Sequence, residues 1–244
     1  MPFYAKPSGG YAISSTEGTA NIYAIYDYLH ALGYDKQCVN GMLGNVSAES
    51  GLNPWRWQAD TVTYSDGYGL VQFTPASAYI NLTGIPDHAP NLSVSQQTAG
   101  ASPDDAKAQL YVFANDTLGK WNSSCWRSYW NPSTYPDLYA MHTSILNTWG
   151  NGSSLTINQF KLITNYQDAC FAFLACYEGP GVPNYNERVA LAAQVKAVLD
   201  PYDPGPTPPG PGPGPTPPDP GPGFDLDDIL FVKKFFIDKS RNLW

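Results

Sequence analysis

The stretch GMLGNVSAESGLNP, residues 41–54, joins a helical apolar period to a stop signal, and the rest of the chain is read outward from it. With DKQCVN before it, Val39, Met42, Leu43 and Val46 fall on one stripe, Asp35 is placed to cap the first turn and Gly51 to end the last. Glu49 follows Val46 by three residues and Met42 by seven, so the period puts a carboxyl group on the apolar face at the helix end. A carboxyl group partly withdrawn from water holds its proton more tightly, the property required of a general acid.

The same period governs the flanks. TANIYAIYDYLHALGY sets Ile22, Ile25, Leu29 and Leu32 on one stripe ending at Gly33. Downstream, Ser102 precedes Pro103, Asp104 and Asp105, a cap followed by proline and acids in a first helical turn. Further helices are predicted over 135–147, 156–163, 165–178 and 185–199. Between Trp57 and Phe73 the pattern changes to alternating Thr, Val and Tyr around Ser65-Asp66-Gly67, which predicts a small β-hairpin. The expected fold class is therefore α+β, mostly helical, with one hairpin near the middle of a domain spanning 1–199.

Composition limits what such a domain can do. Of its 244 residues 43% are hydrophobic and only 14% charged, and the formal net charge is -8, so there is no basic surface for gripping a phosphate backbone and nucleic acid is not expected as a partner. No apolar run reaches the roughly 18 residues of a membrane span, and MPFYAKPSGGYAIS lacks the charged and apolar regions of a signal peptide, so the chain is read as soluble and not conventionally secreted. Cys38, Cys125, Cys170 and Cys176 form no CxxC pair, and the three histidines stand far apart, so no metal site and no cofactor are expected. The cysteines are read as buried reduced thiols, with one or two bridges as the alternative.

From Asp200 the composition shifts abruptly: DPYDPGPTPPGPGPGPTPPDPGPG, residues 200–223, holds twelve prolines and six glycines. At about 3.1 Å per residue an extended spacer of this kind reaches on the order of 70 Å. The final segment, 224–244, places Ile229, Val232, Phe236 and Ile237 at helical spacing and is too short to bury a core, so it is read as an amphipathic tail that docks on a partner.

The hairpin brings two acids, Asp60 and Asp66, close in sequence after Glu49, and a helix-terminal glutamate followed by an acidic hairpin is the order of parts in a lysozyme. Asp66 precedes Gly67 and reads as turn chemistry, so Asp60 is favoured as a second carboxylate, with Asp66 kept as the alternative. The blocks GMLGNVSAESGLNP (41–54), GYGLVQFTPASAYI (67–80) and FLACYEGP (173–180), in this order, resemble the phage tail lysozyme family, in particular the lysozyme domains of tail-knob proteins of short-tailed phages of Gram-positive bacteria. The resemblance runs from about residue 20 to 199. It departs from the family pattern at Gly179, where arginine is usual, and at Phe73, where tryptophan is common.

The resemblance implies a lysozyme-like fold and an N-acetylmuramidase acting on peptidoglycan. Glu49 would be the general acid, Asp60 the second carboxylate, and Gln72 part of the sugar cleft. Trp57 and Tyr68, together with Trp55 and Tyr64, supply flat aromatic faces of the kind pyranose rings pack on, and are expected to bind substrate. Spacer and tail are expected to tether the enzyme to phage tail or knob proteins on the virion. The alternatives are a free endolysin, a lytic transglycosylase that uses the glutamate alone, and a non-catalytic wall-binding protein or tail plug.

Overall fold

A computed structural model of the chain describes residues 3–6, 11, 13–83 and 103–204. Eight α-helices follow one another there: α1 (Thr16–Ala31), α2 (Lys36–Ser50), α3 (Ala76–Thr83), α4 (Pro103–Ala114), α5 (Pro136–Thr148), α6 (Ile157–Phe160), α7 (Tyr166–Phe173) and α8 (Tyr185–Leu199). A π-helical turn, Leu174–Glu178, prolongs α7.

Helix α2 forms as its sequence dictates. Asp35 accepts a hydrogen bond from the Gln37 amide at 2.7 Å, and Gly51 closes the helix in the left-handed conformation at φ 61°. Val39, Met42, Leu43 and Val46 are all buried. Helices α7 and α8 pack directly on α2, and its glycines make this possible. A Cβ on Gly44 would stand 2.6 Å from the Ala192 Cβ of α8, and one on Gly41 would run into the backbone of Tyr166 and Cys170 on α7. Asn45, fully buried between the two, donates to the Cys170 carbonyl at 3.0 Å. In α1, capped by Ser15, the residues Ile22, Ile25 and Leu29 are buried as expected. Leu32 is not: it lies just past the helix end and is 44% exposed.

The expected hairpin contracts to two isolated β-bridges, Trp57 with Tyr68 and Tyr68 with Phe73, and no strand occurs among the described residues. The reason is local. Ala59 and Asp60 adopt φ 52° and 56° within a 3-10 turn, and Gln72 adopts φ 45°, so extended backbone is interrupted on both arms. Short-range pairing survives where Gln58 donates to Gly67 and Gly69 to Arg56, at 2.9 and 2.8 Å. The domain is thus helical with a compact bridged loop in place of a hairpin. Helix α3, which immediately follows that loop, was not foreseen from its eight residues.

The reading of four reduced thiols is corrected for two of them: Cys125 and Cys176 are disulfide-bonded, while Cys38 and Cys170 are free and buried. The bond joins the loop after α4 to the π-helical turn, two segments that sequence spacing gives no reason to pair. The start of the proline-rich segment is also fixed. The Tyr202 ring stacks on Tyr23 at 4.1 Å, its hydroxyl donates to Asp27 at 3.0 Å, and Lys36 donates to the Tyr202 carbonyl at 2.8 Å. The Ser102 cap, the rest of the spacer and the amphipathic tail lie outside the described residues.

Candidate functional site

Glu49 occupies the last turn of α2, and its side chain keeps 23% of its surface, so it is partly withdrawn from water as the period required. It faces a cleft of about 300 Å³ whose wall includes Arg56, Gln72, Lys120, Glu178 and Pro180. The carboxylate accepts a hydrogen bond from the Arg188 Nη2 at 2.5 Å. Arg188 comes from α8 and is buried, and its remaining nitrogens donate to the Asn45 side chain at 3.3 Å and the Pro183 carbonyl at 3.2 Å. One guanidinium therefore ties the helix carrying Glu49 to its neighbour.

Glu178 brings a second carboxyl group to the cleft wall from the end of the π-helical turn. Part of the residue reaches the cleft, but its Oε1 is buried and has no hydrogen-bond partner among the described residues. Burial, and then the negative charge of Glu49, push this carboxyl up to about 8, against the pull of Arg188, Lys120 and Arg127. Lys120 is drawn the other way, below the ordinary lysine range, first by its own burial. Its ammonium lies over the faces of Tyr177 and Phe73, at 5.7 and 5.9 Å from the ring centres.

The loop over residues 122–130 holds the Glu178 segment at successive carbonyls. Asn122 donates to Cys176 at 2.6 Å, Arg127 to Tyr177 at 3.1 Å, Tyr129 to Gly179, and Trp130 to Pro180 at 2.8 Å. Gly179 turns the chain at φ 54°, and any side chain there would overlap the Arg127 guanidinium. The glycine found where the family pattern has arginine thus makes room for an arginine from elsewhere in the chain.

Gln72 lines the cleft, with its side-chain amide donating to the Gly69 and Arg56 carbonyls at 2.9 and 3.1 Å. Asp60 does not line it. Its side chain is about half exposed and pairs with Arg56 at 3.1 Å, so it reaches the cleft through that arginine. Asp66 is likewise absent from the wall. The expectation for Trp57 and Tyr68 is corrected: they are 1% and 3% exposed, pack on each other at 4.6 Å between ring centres, and fill the core. Trp55 is equally buried, whereas Tyr64 is exposed.

Chemically, the cleft sets two carboxyl groups among cationic side chains, an arrangement able to hold and release a proton next to a polar ligand. Among the described residues no group of three His, Cys, Asp or Glu side chains stands close enough to hold a metal ion. A model of the phage tail lysozyme family matches residues 20–199. The chain is also 30% identical over 188 residues to "Morphogenesis protein 1" of Bacillus phage B103, a match covering 76% of this chain and 40% of that protein.

Proposed function

The chain belongs to the phage tail lysozyme family, and on that premise we propose that it is a virion-associated N-acetylmuramidase that hydrolyses the β-1,4 bond between N-acetylmuramic acid and N-acetylglucosamine. The observation that carries this reading is Glu49, a helix-terminal carboxyl group facing a cleft whose wall also holds the carboxyl group of Glu178. Cleavage of a glycosidic bond requires protonation of the leaving oxygen while charge develops at the anomeric carbon. Glu49 protonates that oxygen, Gln72 supports the sugar from the facing wall, and water completes the reaction. Asp60, the expected second carboxylate, acts through the orientation of Arg56 in the cleft wall. The protein thins the cell wall during infection, held on tail or knob proteins by the spacer and tail.

Mass spectrometry of fragments released from purified Gram-positive peptidoglycan tests the reading. The intact protein is expected to release fragments ending in reducing muramic acid, and Glu49→Gln to release none. Anhydro-muramic ends would replace hydrolysis by transglycosylation, and wall binding without fragments would make the protein a non-catalytic tail component. A free endolysin has the same chemistry, so particles decide that question: loss of residues 224–244 is expected to remove the protein from virions, and its retention there would defeat the tethering role.

A further inference from the structure

Glu178 lines the cleft but has no part in the reaction proposed above. Three features set it apart from a structural acid. Its Oε1 is buried without a partner among the described residues, although Lys120, Arg127 and Arg188 all interact with the carboxyl group electrostatically. It shares the cleft wall with Glu49, the other acid in that wall. Its backbone is fixed by the 122–130 loop through the bonds on either side of it and by the Cys125–Cys176 disulfide two residues before it. A carboxyl group on a backbone held this firmly, yet left without a hydrogen bond of its own, is placed for exchange rather than for support.

We propose that Glu178 is a positioning residue that stores the proton used by Glu49, an inference that rests on the muramidase reading. In the ligand-free protein Glu49 is a carboxylate bonded to Arg188, and Glu178 is a carboxylic acid. When substrate fills the cleft, the proton passes from Glu178 to Glu49, leaving a Glu178 carboxylate facing Lys120 and Arg127. Glu49 then gives that proton to the leaving sugar oxygen as the glycosidic bond breaks. Water adds its hydroxyl to the anomeric carbon, and the proton it loses returns to the pair, restoring the starting state.

The surroundings fit both ends of this cycle. The charged groups facing Glu178 are Glu49 from α2, Arg188 from α8, Lys120 from the segment after α4 and Arg127 from the 122–130 loop, with Tyr177 on its own turn. Burial and Glu49 favour the acid form at rest, and the three cations favour the carboxylate once Glu49 is neutral. The Glu178 carboxyl therefore gives up its stored proton as pH rises through about 8.

The test is the pH dependence of kcat/KM on purified peptidoglycan for the wild type, E178Q and E178D. Wild-type turnover is expected to decline as pH rises through about 8. In E178Q, Glu49 keeps Arg188 but loses the proton stored beside it, so the decline is expected about one unit or more lower, and E178D is expected to recover part of the shift. A decline in E178Q at the wild-type pH, whatever the rate, overturns the proposal, because a merely structural residue would change rate or stability without moving the profile. A second readout needs no turnover: the infrared difference between wild type and E178Q at neutral pH is expected to show a protonated carboxyl band, which diminishes in Glu49→Gln because a neutral residue there leaves the three cations to favour the Glu178 carboxylate. Absence of that band also overturns the proposal, whereas its presence with no release of wall fragments sinks the muramidase reading and leaves the proton on Glu178.

Discussion

Arg188 joins three groups with one guanidinium: the Glu49 carboxylate, the Asn45 side chain and the Pro183 carbonyl. Removing it leaves a partly buried carboxylate without its cation and a buried amide oxygen without its donor. We expect Arg188→Met to destabilise the protein by about 3–5 kcal/mol in urea titrations, with Arg188→Lys recovering little because a single ammonium cannot reproduce the fork. At Gly179 the left-handed turn and the Arg127 guanidinium act together, so Gly179→Ala is expected to cost about 1 kcal/mol or more, again read from unfolding. Asp60→Asn tests the remaining acid. Its exposure and its place outside the cleft wall lead us to expect a loss in kcat/KM below about tenfold, whereas a loss of orders of magnitude would make it the second carboxylate. Glu49 was legible from the sequence because its position follows from a period counted within one helix. Arg188 and Lys120 were not, since they meet it only through tertiary packing. Trp57 and Tyr68 carry the same side chains whether they face sugar or core, and only burial distinguishes the two.

The contact of α2 with α7 and α8 depends on two positions without side chains. Gly44→Ala would force α8 away from α2 by pressing on Ala192 and the Arg188 carbonyl, so a loss of about 1–3 kcal/mol is expected in urea unfolding, as for other overpacked cores. The disulfide is the second element-level device. It closes a 51-residue separation, for which the chain-entropy relation gives on the order of 4 kcal/mol. Paired Cys125→Ser and Cys176→Ser substitutions are therefore expected to lower Tm in calorimetry, and to lower turnover as well because the Glu178 segment loses its staple. Helices α1, α2 and α4 to α8 were legible in order, α1 and α2 most directly because a period of 3.6 and a glycine stop are written within each segment. The bridged loop was misread as a hairpin because its alternating Thr, Val and Tyr residues fit strands, while positive φ at non-glycine residues such as Ala59 and Gln72 leaves no mark in the pattern.

For the whole molecule, Glu178 links stability to pH. Its carboxyl is raised from an ordinary 4.5 to about 8, so between those values the folded protein binds more protons than the unfolded chain. Stability from this group is then greatest at low pH, falls as pH rises across that window, and levels off above it. Urea midpoints measured across the window are expected to show this slope in the wild type and to lose it in E178Q. The anchoring of Tyr202 has a mechanical consequence. The chain leaves the domain beside Lys36 in the first turn of α2, while Glu49 occupies the last turn, about 20 Å away at 1.5 Å per residue. A pull on the chain beyond residue 204 is taken first by a ring stack and by hydrogen bonds to Asp27 and Lys36, groups absent from the cleft wall. Load is thus delivered to one end of the central helix and chemistry is done at the other, so a domain dragged against a rigid wall can keep its cleft in shape.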